Sequence, residues 1–118
     1  MKKQYTLVLV SVPSNQIGEE IADVLIDKQL AACVTILPTT SSIYTWKGET
    51  RHEQEALILI KTRLDLFDEK LIPAIRATHP YEIPEILAVP ITTGSKDYLD
   101  WMDRGMLPMN LGNKLKNL

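Results

Sequence analysis

Between positions 33 and 62 the chain offers two long extended arms joined by one turn, and this limits what it can fold into more than any other feature. Apolar and β-favouring residues run from Cys33 to Trp46, interrupted by Pro38; Lys47-Gly48 supplies a turn, and residues 49–62 run extended again. Each arm exceeds the usual strand of about five or six residues. Paired across the turn, positions equidistant from it stand opposite each other. Tyr44 then falls near Arg51 and Cys33 near Thr62, give or take a bulge at Pro38. Arms of this length overhang a compact monomer. An unpaired overhanging edge recruits another chain, so a native protein covers it, most simply with a second subunit.

The rest of the pattern fits around this hairpin. Residues 5–12 are β-branched and apolar, a buried strand closed by Pro13. Ser14 stands at an N-cap, and Ile17, Ile21, Val24 and Leu25 follow the spacing of one buried helical face, with Glu19 and Glu20 near the positive end. Residues 31–37 begin the second strand. Leu64, Phe67, Leu71 and Ile75 mark a second amphipathic helix that Pro73 should kink or divide. A loop stiffened by Pro80 and Pro84 leads into a fourth strand over 85–91, ended by Pro90 and Gly94. Ser95 caps a short helix with Tyr98, Trp101 and Met102 on one face, and Gly105 is its stop. Two strand-helix-strand units and a short C-terminal helix give an α+β, ferredoxin-like sandwich. It is a four-stranded antiparallel sheet with helices on one face, built from βαββαβ. One domain over residues 1–105 is expected, followed by a tail, 106–118. The tail's Met106, Leu107, Met109, Leu111 and Leu115 should pack on this or a neighbouring subunit.

Composition narrows the function. The net charge is −2 with both signs interspersed, so no basic face offers itself to phosphate backbones, and nucleic acid is not an expected partner. Nothing approaches the roughly 20 apolar residues of a membrane span. The apolar run 7–12 is broken by Ser11 and too short for a secretion signal. Cys33 is the only cysteine, which excludes an intramolecular disulfide and suits a reducing compartment. The cytoplasm is the expected location.

Few residues carry chemistry. Cys33 lies among Ala32 and Val34, where a thiol acts as a small hydrophobe unless it ligates a metal. His79, held extended by Pro80, is either a hydrogen-bonded structural histidine or a ligand. Cys33 and His79 are therefore the metal candidates, although two ligands do not complete a Zn(II) or copper site. His52 sits in a solvated charged run. Lys61 and Glu85 flank buried strands; either each is satisfied locally or both line one polar cleft as a pair. Tyr44, Trp46 and Tyr81 would wall such a cleft or anchor an interface. No nucleophile-base pattern, phosphate-cradling loop or paired-cysteine knuckle is present, so an enzyme is not expected.

Several blocks are similar to the divalent-cation tolerance family, CutA: Ala31-Ala32-Cys33-Val34, Ser42-Ile43-Tyr44-Thr45-Trp46-Lys47-Gly48, Glu55 with Lys61-Thr62, His79-Pro80-Tyr81-Glu82-Ile83-Pro84-Glu85, and Tyr98-Leu99 with Trp101. The resemblance implies a ferredoxin-like homotrimer, similar to the nitrogen-regulatory signalling proteins, whose long hairpins pair with the adjacent subunit. It implies a binding or regulatory role in tolerance to copper and other divalent cations. The fold analogy alone adds the alternatives of a metabolite or anion held between subunits, or a protein scaffold. Val10 stands where some bacterial relatives carry a second cysteine, so a two-thiolate copper site is absent and any copper binding here should be weak.

Overall fold

The computed structural model describes residues 3–109. Strand β1, Tyr5–Val12, alternates strictly: Val8, Val10 and Val12 are fully buried while the intervening residues are half-buried, the period-two signature of a strand with two different faces. Helix α1, Asn15–Asp27, begins where Ser14 Oγ accepts the Ile17 backbone N–H at 3.2 Å. Gly18, Ile21 and Leu25 are its buried stripe. Gly18 is required by proximity: a Cβ there would sit 3.1 Å from Ile58 Cγ2, so the missing side chain lets the helix settle on the sheet.

Strands β2, Cys33–Trp46, and β3, Glu49–Arg63, form the long hairpin. Its turn is two residues long, with Trp46 opposite Glu49 and positive φ at both Lys47 (52°) and Gly48 (79°). This is the type I′ geometry whose twist matches the flanking strands. At the tip Tyr44 pairs with Arg51, as expected, but at the base Cys33 pairs with Lys61 and not with Thr62. The one-residue offset comes from a bulge between Leu37 and Thr40, where Pro38 and Thr39 together oppose Ala56 and Thr39 takes φ 59°. Pro38 has no N–H to give the ladder, which explains why the irregularity falls there.

After β3 the chain makes a 3₁₀ turn, Leu64–Leu66, a π turn, Phe67–Leu71, and helix α2, Ile72–Thr78. The expected division at Pro73 is present, and Pro73 lies in the first turn of α2, where its missing N–H is harmless. Strand β4 is shorter than the sequence suggests, Leu87–Pro90, so Glu85 lies in the preceding loop. Helix α3, Lys96–Arg104, is capped by Ser95. Its expected apolar face is split: Met102 is buried, whereas Tyr98 and Trp101 are exposed with their rings 5.4 Å apart.

The sheet order is β2-β3-β1-β4, every pair antiparallel. One face packs Val8, Val10, Val12, Ile58 and Ile60 against Ile21 and Leu25 of α1 and Ala74 and Ile75 of α2, which is the ferredoxin-like arrangement. Packing continues past Gly105. Met106 is buried with Leu66 and Met102, and the Leu107 N–H donates to the Gln29 carbonyl at 2.9 Å. The start of the tail thus packs on its own chain; Leu111 and Leu115 lie outside the described residues. The other sheet face carries Leu7, Leu9, Leu57, Leu59 and Leu87, and no helix among the described residues packs on it. The molecule measures 53 × 31 × 25 Å with a radius of gyration of 15.7 Å. A compact chain of this size would have about 13 Å. The hairpin accounts for the excess.

Candidate functional site

The outer half of the hairpin and the loop before β4 flank a cleft of about 700 Å³, lined among others by Tyr44, Trp46, Glu55, Tyr81, Glu82 and Glu85. The turn and the bulge together set its β2 wall. Below Leu37 the odd-numbered residues of β2 pair with the odd-numbered residues of β3; above Thr40 the even-numbered ones do, so Tyr44 and Trp46 join the face that carries Glu55. The two-residue turn sets Tyr44 and Trp46 opposite Arg51 and Glu49, and the bulge reconciles that register with the base of the hairpin.

The loop supplies the opposite wall and is held by one histidine. His79 Nε2–H donates to the Ser11 carbonyl at 2.7 Å, and Nδ1 accepts the Tyr81 backbone N–H at 3.2 Å. This pins Tyr81, whose ring lies 4.8 Å from the imidazole and whose hydroxyl donates to Glu55 Oε2 at 2.6 Å. Burial, and then the adjoining Glu55 carboxylate, push the Tyr81 hydroxyl well above its ordinary pKa, so it remains a donor. Glu55 is only 7% exposed. In the sequence Glu55 stands out only as part of the CutA-like block with Lys61-Thr62, not as a site residue. The available signal was a carboxylate immediately before the apolar run Ala56-Leu57-Ile58.

Of the sequence candidates, Tyr44, Trp46, Tyr81 and Glu85 come together here; Lys61 does not. Its Nζ donates to Thr35 Oγ1 at 3.0 Å and approaches Cys33 Sγ at 3.6 Å on the helix-free face. Six residues of strand separate it from Glu55, about 20 Å. Of the two alternatives for Lys61 and Glu85, local satisfaction describes the lysine, and the pair is not formed within the chain.

The metal candidates do not converge within one chain either. His79 is tied to Ser11, which faces Leu57, while Cys33 faces Lys61 four residues further along β3. That distance is about 13 Å. Both imidazole nitrogens are also committed to backbone groups, which leaves no lone pair for a metal. Among the described residues no cluster of three or more His, Cys, Asp or Glu side chains is arranged to hold a metal ion. The cleft lining includes Glu55, Glu82 and Glu85 and no lysine, arginine or histidine, so its charge opposes an anion. A second depression, about 520 Å³ beside Tyr5, Pro90 and Leu99, contains none of the candidates.

Comparison with known proteins agrees with this architecture. The family described as CutA1 divalent ion tolerance protein matches residues 6–105. The chain is 47% identical over 96 residues to the divalent-cation tolerance protein CutA of Thermus thermophilus, covering 81% of this chain and 92% of that protein. It is 44% identical to a CutA homolog of Danio rerio, over 83% of this chain and 65% of the fish protein. The solved Thermus thermophilus structure superposes with a TM-score of 0.83 at 43% identity, covering 87% of this chain and 99% of that one. CutA1 from Oryza sativa gives 0.85 at 38% identity, over 88% and 94%. With the hairpin, the His79–Glu85 loop and the four-stranded sheet in their places, the chain belongs to the CutA1 divalent ion tolerance protein family.

Proposed function

We propose that this chain is a non-catalytic, homotrimeric binding protein that contributes to divalent-cation tolerance, copper included, and that the cleft under the hairpin is its ligand site. The observation that carries the reading is the cleft itself: an element made for overhang and a loop pinned by His79 converge on one concave, aromatic and acidic surface. A general acid-base role for His79 is disfavoured because its two nitrogens hold Ser11 and Tyr81 in place. The apolar helix-free sheet face supports self-association, with Leu37, Leu87 and Val89 all more than 40% exposed. The lone thiol of Cys33 favours the cytoplasm.

Cation binding to one chain should be weak and exchangeable, since Cys33 and His79 do not converge. Light scattering after size exclusion should report three subunits at micromolar concentration, and protein dialysed after copper loading should retain far less than one copper per chain. A monomer in solution, or stoichiometric copper that survives dialysis, would overturn the proposal.

A further inference from the structure

Resting on the reading of the cleft as a ligand site, we propose that the cleft takes a small organic cation, an alkylated ammonium compound. Three aromatic side chains, Tyr44, Trp46 and Tyr81, line it together with three carboxylates, and no cationic side chain shares the lining. A concave site with negative charge and aromatic walls selects a cation. The remaining question is which kind.

A bare divalent ion is a poor match. It needs several oxygen or nitrogen ligands converging at bonding distance. The three carboxylates are dispersed, and the described residues hold no such convergence. An alkylated ammonium is matched better. Its charge is spread over apolar substituents, so ring faces replace its weak hydration, and only one or two carboxylates are needed to balance it. About 700 Å³ is a small-molecule volume.

Two local features point the same way. Glu55 is more than nine-tenths buried, yet only its Oε2 is occupied, by Tyr81; among the described residues Oε1 accepts no hydrogen bond, and the residue lines the cleft. Among the described residues no buried side-chain oxygen lacks a partner, so Oε1 reaches solvent and offers a hydrated counter-charge at the cleft surface. Trp46 already carries an ammonium: Lys47 Nζ stands 5.9 Å from the centre of its ring. The indole is thus within cation–π reach of its own sequence neighbour, a lysine outside the cleft lining.

The test titrates choline, and its neutral isostere 3,3-dimethylbutan-1-ol, calorimetrically into the full chain. The same titrations are made on Glu55→Gln, which keeps an acceptor for Tyr81, on Trp46→Leu, and on Cys33→Ala as a control, with circular dichroism confirming each fold. Choline should bind at least tenfold more tightly than the alcohol. Glu55→Gln and Trp46→Leu should each weaken choline about tenfold, and Cys33→Ala should leave it unchanged. Equal affinity for alcohol and ammonium, or choline binding indifferent to both cleft substitutions, would overturn the proposal. Titrating Cu(II) into the same variants separates the two levels. Alcohol or copper binding that tracks the cleft variants, without choline, would leave the cleft a ligand site and remove only the organic cation. Dependence of no probe on the cleft would remove both.

Discussion

The most constrained single residue is Arg63, 1% exposed at the end of β3. Its Nε and Nη2 donate to the two Asp65 oxygens at 2.9 and 3.2 Å, and Nη1 donates to Asp103 Oδ1 at 3.3 Å. Nη2 also reaches the Leu107 carbonyl. Asp103 in turn accepts from the Tyr5 hydroxyl at 2.7 Å and Lys3 Nζ at 3.0 Å. This one node ties β1, β3, α3 and the start of the tail together. Burial, followed by the hydrogen bond to Asp103, pushes the Tyr5 hydroxyl up to about 12. For Asp103 burial opposes ionisation, but the hydrogen bonds from Tyr5, Lys3 and Arg63 outweigh it and hold the carboxyl below its ordinary value. A carboxyl depressed on folding contributes stability above its unfolded pKa, which is lost as pH falls through the folded one. Asp103→Asn should therefore cost about 1–3 kcal/mol near pH 7. The cost should shrink progressively below about pH 4, where the wild type loses the same charge. Urea melts of both proteins from pH 7 to pH 3 measure this; a difference that stays constant over the range would show that Asp103 acts by shape alone. None of this network was legible in the sequence. The extended arm read from the sequence stops at Thr62, one residue short of Arg63, and Asp103 is forty residues away with nothing to link the two.

Among the elements, the hairpin was the most legible, because arm lengths and a central Lys-Gly are local facts. The base register was not, because which residue bulges depends on how the β2 backbone meets β3. The sequence nevertheless marked the place with Pro38. The backbone conformations give two tests. A left-handed conformation costs an L-residue roughly 1–2 kcal/mol, less for asparagine and nothing for glycine. Lys47→Gly should therefore stabilise the turn, by up to about 1 kcal/mol once the extra chain entropy is counted, and Lys47→Pro should destabilise it; thermal melts decide. Deleting Thr39 removes the extra residue and leaves Pro38 alone opposite Ala56, so Thr40 stays opposite Glu55 and Tyr44 and Trp46 keep the face of Glu55. Ligand binding in the cleft should therefore survive the deletion, and the helix-packed core, which lies on β1, the base of β3 and the helices, should keep its secondary structure; loss of binding in a calorimetric titration would show that the bulge shapes the cleft by more than register. Helix α1 was read correctly from its spacing and cap, but the role of Gly18 was not. Gly18→Val would push branched carbons into Ile58, itself fully buried, and should cost about 1–3 kcal/mol.

At the scale of the whole molecule, the sequence revealed the overhang but not the second exposed surface, because strand alternation hides it. In β1 the buried Val8 and Val10 alternate with Leu7 and Leu9, so both faces read as apolar and only topology tells which one the helices cover. The uncovered face ends at β4, where Leu87 pairs with Leu9 and Val89 with Leu7, and Leu87 is 56% exposed. If this face joins the subunits of the proposed trimer, Leu87→Lys introduces a charge at every copy of the contact. Leaving such a charge without a partner costs several kcal/mol per ion. The variant should run as a monomer at micromolar concentration, with circular dichroism close to that of the parent, because Leu87 belongs to neither buried cluster. Ile26→Lys supplies the control: it is 45% exposed on α1, on the helical side, and should leave the assembly intact. Light scattering compares the two directly. A Leu87→Lys protein that remains trimeric would move the interface elsewhere, with the overhanging hairpin the next surface to test.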